Sequence, residues 1–427
     1  MKKISNYFII GIILSILFFI SCKTDDNDST ENNNEQPQIK INRPFPQHTK
    51  YSDGIIIPDN KTRKELDNDV KTFYDRWKRR YLKEVSKEKG PNGEKVYKII
   101  MNSSGRTVSE GQGYGMIIVS LMTGYEKNGK EIFDGLWYFS RNHKSKIDSR
   151  LMAWEVPEPS GGTDSAFDGD CDIAYALLLA DRQWGSSGKV NYLEEGKKII
   201  KAIEESTIGK KSYLPLLGDW VEDGGEQYNQ YTPRTSDFMI VNFKAFYKAT
   251  KNTVWNKVIN SVHRAIDIVQ KNYSSNTGLL PDFLQGNGSL DSLRPADQNF
   301  LEGDNDGDYY YNAGRDPWRI GLDVILNNDT TSKKEVKRII DWIYKETKGD
   351  PHKIFSGYYL NGEPIDGSDY FSTFFVSPFG VGAMTDSSKQ QFLNKIYNSL
   401  IGRYQGYYED TVTLISLIIM SGNYWTY

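Results

Sequence analysis

Ser109-Glu110-Gly111-Gln112-Gly113-Tyr114-Gly115-Met116 leads into the apolar run Ile117-Ile118-Val119. Three glycines on alternate positions weaken a helix interior, each by roughly 1 kcal/mol relative to alanine. They let another group approach the backbone closely. Glu110 then has two readings: a first-turn carboxylate that complements a helix dipole, or a reactive group.

Further along, Ala166-Phe167-Asp168-Gly169-Asp170-Cys171-Asp172-Ile173-Ala174 places three acids on alternate positions before a helical stretch that ends near Trp184. This is either an acidic helix cap or a cation-binding loop. Leu301-Glu302-Gly303-Asp304-Asn305-Asp306-Gly307-Asp308 superficially resembles a calcium loop. An EF-hand would need a glutamate twelfth from Asp304, where this chain has Arg315. In Tyr311-Asn312-Ala313-Gly314-Arg315-Asp316-Pro317-Trp318-Arg319, Arg315 and Arg319 are four apart and can pair with acids at another helix start.

Apolar residues recur at helical spacing in the intervening segments. Val70, Phe73, Trp77 and Tyr81 share one face; so do Ile173, Ala176, Leu177 and Ala180. Phe238, Val241, Ala245 and Ala249 follow, then Val258, Val262, Ile266 and Val269. Later runs are Val336, Ile339, Ile340 and Ile343; Phe392, Ile396 and Leu400; and Val412, Ile415 and Ile418. There are no alternating-strand blocks. Ten to twelve helices, at intervals of roughly 30 residues, predict an all-α protein of paired helices in a closed array.

In combination and in this order, the motifs resemble glycoside hydrolase family 8. Ser109–Met116 is close to that family's general-acid motif, and Asp168-Gly169-Asp170 with Ile173-Ala174 and Trp184 is similar to its second signature. Phe167 departs from the usual threonine or serine. Asn312-Ala313, Arg315 and Pro317-Trp318-Arg319 match a third motif, and Thr235-Ser236-Asp237-Phe238 after Arg234 is also family-like. The resemblance spans about residues 45 to 427. It implies an (α/α)6 barrel with a cleft at one end.

It also implies roles. An inverting glycosidase places two carboxyl groups on opposite sides of the scissile bond, one protonated and one ionised. The resemblance makes Glu110 the general acid, and burial near other acids is expected to raise its pKa. Many members have an aspartate base where this chain has Asn312, and an amide cannot serve as base. One branch, with chitosanases and lichenan-type β-glucanases, has that asparagine and a glutamate base about ten residues earlier. Glu302 stands there, with Asp304, Asp306 and Asp308 as fallbacks and Asn312 placed to orient the water. Asp168 matches the acid that grips and distorts the sugar. Asp170, Tyr114, Trp154, Trp220, Tyr311, Asn312 and Arg315 complete the expected substrate site, the four aromatics being either sugar contacts or core. Arg315 is expected to organise the site by pairing with acids. No metal or organic cofactor is required.

The expected reaction is endo-cleavage of chitosan or of a lichenan- or cellulose-type β-glucan, with xylan as an alternative. The competing reading is a non-catalytic glycan-binding lipoprotein, which has no need of Glu110 together with Glu302. Acids such as Glu222, Asp223 and Glu226 would favour cationic chitosan if they line the cleft.

The bulk composition fits. The 427 residues carry a net charge of −3, which argues against nucleic acid as partner. Tyr, Phe and Trp number 28, 19 and 9, enough for both a core and sugar platforms. Two cysteines and four scattered histidines offer neither a disulfide framework nor a zinc motif. A monomer is expected.

Lys2 and Lys3 precede an apolar stretch from Tyr7 to Ile20, too short for a comfortable membrane span, and Ser21-Cys22 follows. This resembles a bacterial lipoprotein signal over residues 1–21, with Cys22 as the lipidated residue. Phe19 departs from the usual leucine. The Lys23-Thr24-Asp25-Asp26 start resembles a surface-export signal of Bacteroidetes-type lipoproteins. A polar tether over residues 22–40 and a catalytic domain over 41–427 complete the expected layout. The membrane anchor would place the enzyme in the cell envelope, at the outer membrane.

Overall fold

The computed structural model describes residues 40–157 and 163–427; the expected signal peptide, Cys22 and nearly all of the tether lie outside them. Lys40–Tyr427 forms one compact unit.

Twelve helices are present among the described residues: α1 (Arg63–Tyr81), α2 (Ser109–Met122), α3 (Gly129–Asn142), α4 (Phe167–Trp184), α5 (Tyr192–Ser206), α6 (Ile240–Thr250), α7 (Val254–Asn272), α8 (Asp316–Asn327), α9 (Thr330–Thr347), α10 (Thr373–Ala383), α11 (Gln390–Leu400) and α12 (Tyr407–Met420). The even-numbered helices touch in sequence, α2 to α4, α6, α8, α10, α12 and back to α2, so they close a ring. Each packs against an odd-numbered neighbour: α1 on α12, α3 on α2, α5 on α4, α7 on α6, α9 on α8 and α11 on α10. The architecture is an (α/α)6 barrel.

Sequence explains the two rings. The inner helices are buried nearly all round; every residue of α2 except Glu110, and every residue of α10, is buried. The outer helices carry one apolar stripe, as in α7 with Val258, Val262, Ile266 and Val269. Helix α4 therefore buries more than the one face of Ile173, Ala176, Leu177 and Ala180; all of it but Asp181, Arg182 and Trp184 is buried. Phe238 falls just ahead of α6, after a 3₁₀ turn at Thr235–Asp237.

The alternating glycines let α2 and α4 approach closely. A Cβ on Gly113 would stand 2.8 Å from Asp172 Cβ, and one on Gly169 would stand 2.6 Å from the Ser109 carbonyl carbon.

Among the described residues, three short antiparallel pairs join the helices: β1 (Leu82–Glu84) with β2 (Tyr97–Ile99), β3 (Thr107–Val108) with β4 (Glu155–Val156), and β5 (Leu284–Gln285) with β6 (Arg294–Pro295). Strands of two or three residues are too short to show alternation.

Residues 42–56 cross the barrel end formed by the C-termini of the inner helices. Backbone N–H groups there donate to the Gln183, Thr123, Gly422, Ile325 and Met384 carbonyls, from Asn42, Phe45, Thr49, Ser52 and Ile56 respectively. The arm thus satisfies carbonyls that helix ends leave unpaired.

Candidate active site

The opposite end of the barrel gathers the N-termini of α2, α4, α8 and α12. None of the four is capped by its own N-cap side chain, and each has an acid in its first turn. The β3–β4 pair sets the entry to α2: Ser109 N–H donates to the Trp154 carbonyl at 2.9 Å, which brings Trp154 beside Glu110.

A cavity of about 430 Å³ lies at this end. It is lined by Glu110, Asp168, Glu302, Asn312 and Arg315, together with Trp154, Tyr311, Tyr408, Arg106 and Arg234. A second cavity of about 520 Å³ shares Trp154, Ala166, Arg234 and Glu302 with it and continues to Trp220 and Tyr228. The two make one continuous groove.

Arg315 is the hub. Its Nη1 donates to Glu110 and, at 2.9 Å, to Asp168 Oδ2; its Nη2 donates to Ser236 Oγ at 2.7 Å and Asn312 Oδ1 at 3.1 Å. Arg234 Nη1 reaches the same Asp168 oxygen at 3.3 Å, and its Nη2 stands 3.9 Å from Glu302 Oε1. On the far side, Asn312 Nδ2 donates to Glu302 Oε2 at 2.9 Å.

These surroundings drive two neighbouring carboxyls apart. Burial, opposed by Arg315 and reinforced by Asp168, pushes Glu110 up to about 7. Burial would also raise Asp168, but Arg234 and Arg315 outweigh it and hold that carboxyl below its ordinary range. A proton donor and a fixed anion therefore stand side by side. Glu302 differs from both, with its side chain 51% exposed.

The structure brings together Glu110, Asp168, Glu302, Asn312, Arg315, Trp154 and Tyr311 in the first cavity, and puts Trp220 in the second. Two expected substrate contacts need correction. Tyr114 is fully buried behind the groove, where its hydroxyl donates to Glu110 at 3.3 Å. Asp170 is also buried and does not line either cavity; its Oδ1 accepts the Met152 N–H at 2.8 Å.

The fallback acids lie elsewhere too. Asp306 accepts the Leu301, Glu302 and Gly303 N–H groups at 2.6, 3.0 and 3.0 Å, so it shapes the loop that carries Glu302. Asp304 accepts from Asn299 at 2.7 Å, and Asp308 lines neither cavity. Asn312 has both amide hydrogens committed, to Glu302 and to Asp282 Oδ2 at 3.3 Å, which leaves it none to offer a water.

Sequence reasoning gave no role to Arg106, Tyr408 or Asp282. They sit far apart in the chain and outside any motif. Arg234 was visible only as the neighbour of one.

The sequence pattern of Glycosyl hydrolases family 8 matches residues 68–422. A beta-glucanase of Niallia circulans is 44% identical over 390 residues, covering 90% of this chain and 92% of its own. An endoglucanase of a Bacillus species (strain KSM-330) is 37% identical over 428 residues, 95% and 89% of the respective chains. The apo structure of a beta-1,3-1,4-glucanase from Paenibacillus sp. X4 superposes with a TM-score of 0.84 at 43% identity, over 91% of this chain and 100% of that one.

Proposed function

Since the chain belongs to glycosyl hydrolases family 8 and is a glycosidase, we propose that it is an endo-acting, inverting β-glucanase with Glu110 as general acid and Glu302 as general base. Glu110 gives its proton to the leaving glycosidic oxygen. Glu302 takes a proton from a water that attacks the anomeric carbon from the opposite face. Asp168, held as an anion, meets the sugar whose ring flattens as positive charge develops.

One observation carries this reading. A largely buried Glu110, its side chain 16% exposed and protonated up to about 7, shares a groove with a solvent-facing Glu302, and both carboxylates are tied to the Asn312–Arg315 corner. A glycan-binding protein has no use for such a pair.

Mixed-linkage or β-1,4-glucan is favoured over chitosan. Glu222, Asp223 and Glu226, the acids that would suit a cationic chain, line neither cavity, and the acids that do, Glu110, Asp164, Asp168 and Glu302, stand among Arg106, Arg234 and Arg315. The groove therefore offers no acidic track for glucosamine ammonium groups. The continuous groove from Trp220 to Tyr408 suits a long chain bound along its length, and the beta-glucanase and endoglucanase relatives support the same substrate class.

The test is reducing-sugar release by the protein on lichenan, carboxymethyl cellulose, chitosan and xylan, with NMR of the first anomer formed. Release of α-anomer from lichenan, lost in Glu110→Gln and Glu302→Gln, is the expected result. β-Anomer as first product would overturn inversion. Oligosaccharide binding without turnover on any of the four would favour a glycan-binding role.

Lipidation of Cys22, and with it attachment to the cell envelope, belongs to the same proposal. Labelled fatty acid should enter the full chain and be lost in Cys22→Ala. The enzyme is further proposed to act as a monomer, which sedimentation of the protein tests.

A further inference from the structure

We propose that Asp282 is a positioning residue for the general base, acting through Asn312. This rests on the assignment of Glu302 as that base.

Asp282 is 3% exposed and does not line the groove. Its Oδ1 accepts the Tyr310 N–H at 3.0 Å and the Ala313 N–H at 2.6 Å. Its Oδ2 accepts the Asn312 N–H at 3.0 Å and the Asn312 side-chain amide at 3.3 Å. One carboxylate therefore fixes both the backbone and the side chain of Asn312. The other end of that amide is also fixed, because Asn312 Oδ1 accepts from Arg315 Nη2 at 3.1 Å. The amide cannot turn, and its remaining hydrogen points at Glu302 Oε2, 2.9 Å away.

The consequence falls on Glu302. Its side chain is half exposed on a loop, and a free glutamate in that setting explores many rotamers. The hydrogen bond from Asn312 selects one of them, aimed into the groove. Asp282 thus reaches the reacting water through two links without touching substrate. On the acid side, Glu110 is held by Arg315 and Tyr114, and it meets this line only through the bonds from Arg315 to Asn312.

An asparagine at 282 keeps the size and one acceptor but turns amide hydrogens towards donors. Asp282→Asn should lower kcat on lichenan by on the order of 10–100-fold, as expected for a misplaced reactive group, with KM unchanged. In an Asn312→Ala background the same change should lose most of its effect, because the two residues act in one line. If Asp282→Asn does not fold, Asn312→Ala alone decides, with the same fall in kcat at constant KM expected. Full kcat in either folded variant, additive losses in the double variant, or a rise in KM that accounts for the loss would each overturn the proposal. Glu302→Gln is measured alongside. Turnover surviving in it would remove the base assignment itself, while a dead Glu302→Gln with a fully active Asp282→Asn would remove only the positioning role.

Discussion

Arg315, at the N-cap of α8, donates to Asp168 on α4 at 2.9 Å across the mouth of the barrel, with the two side chains 1% and 4% exposed. One turn further into the barrel, Arg319 meets Asp172 at 2.8 Å. The two pairs form rungs between the same two helices, and the upper rung also holds Glu110. Removing one partner of a buried pair leaves the other charge uncompensated, at a cost of about 3–5 kcal/mol. Arg315→Met should therefore unfold in urea with about that loss of stability. Arg315→Lys keeps the charge but not the planar fork that serves Glu110, Asp168 and Ser236 together, so it should fall between. Equal urea midpoints for wild type and Arg315→Met would show that the rung does not hold the barrel mouth.

The proton on Glu110 sets the alkaline side of the activity profile. Burial raises this carboxyl to about 7, and a general acid works only while protonated, so kcat/KM should fall as pH rises through about 7. Glu110→Gln should reduce kcat by about 10²- to 10⁴-fold while oligosaccharide affinity is retained. A pH profile flat from 6 to 9 would detach the alkaline limb from this residue.

Much of this was legible in the chain. Val70, Phe73, Trp77 and Tyr81 announced α1 because an outer helix needs one apolar stripe. The Arg315/Arg319 and Asp168/Asp172 spacings are both one helical turn, and they do pair. Helix α10 was hidden, since it is apolar on every side and contains Pro378, Gly380 and Gly382, which erase the period. Tyr114 looked like a sugar platform because an aromatic beside a reactive acid fits that role. Its position four residues after Glu110 keeps it on the same face of α2 but one turn deeper into the barrel, where it is buried. Asp282 gave no signal at all: a lone acid after a proline acquires its role only when the 310–313 turn folds over it.

Asp237 should make stability depend on pH. It is wholly buried, and neither of its carboxylate oxygens has a hydrogen-bond partner among the described residues. Burial, opposed by Arg234, raises it to about 7 from an ordinary 3.8. A folded-state pKa above the unfolded value means that the native state holds the extra proton. Its contribution to stability is full below about 4 and is lost as pH rises through about 7. Asp237→Asn cannot ionise, so its melting temperature should decline less between pH 5 and pH 8 than that of the wild type. Parallel curves for the two proteins would mean that Asp237 keeps its charge on folding.

The arm over residues 42–56 should matter for stability although it lies at the end of the barrel away from the groove. Its backbone N–H groups reach carbonyls at the C-terminal ends of α2, α4, α8, α10 and α12. A net value of about 0.5–1.5 kcal/mol for each such bond gives several kcal/mol for the five together. Side chains add to this: Gln183 exchanges hydrogen bonds with both backbone groups of Arg43, and Phe45 is buried in the main core. Without the arm, the carbonyls of five inner helices would face water at a seam that the fold otherwise closes. A chain starting at residue 60 should therefore melt well below one starting at residue 40. At temperatures where both are folded, its kcat on lichenan should be little changed, because no residue of the arm lines the groove. If the two chains melt together, the arm is a passive strap and the inner ring closes without it.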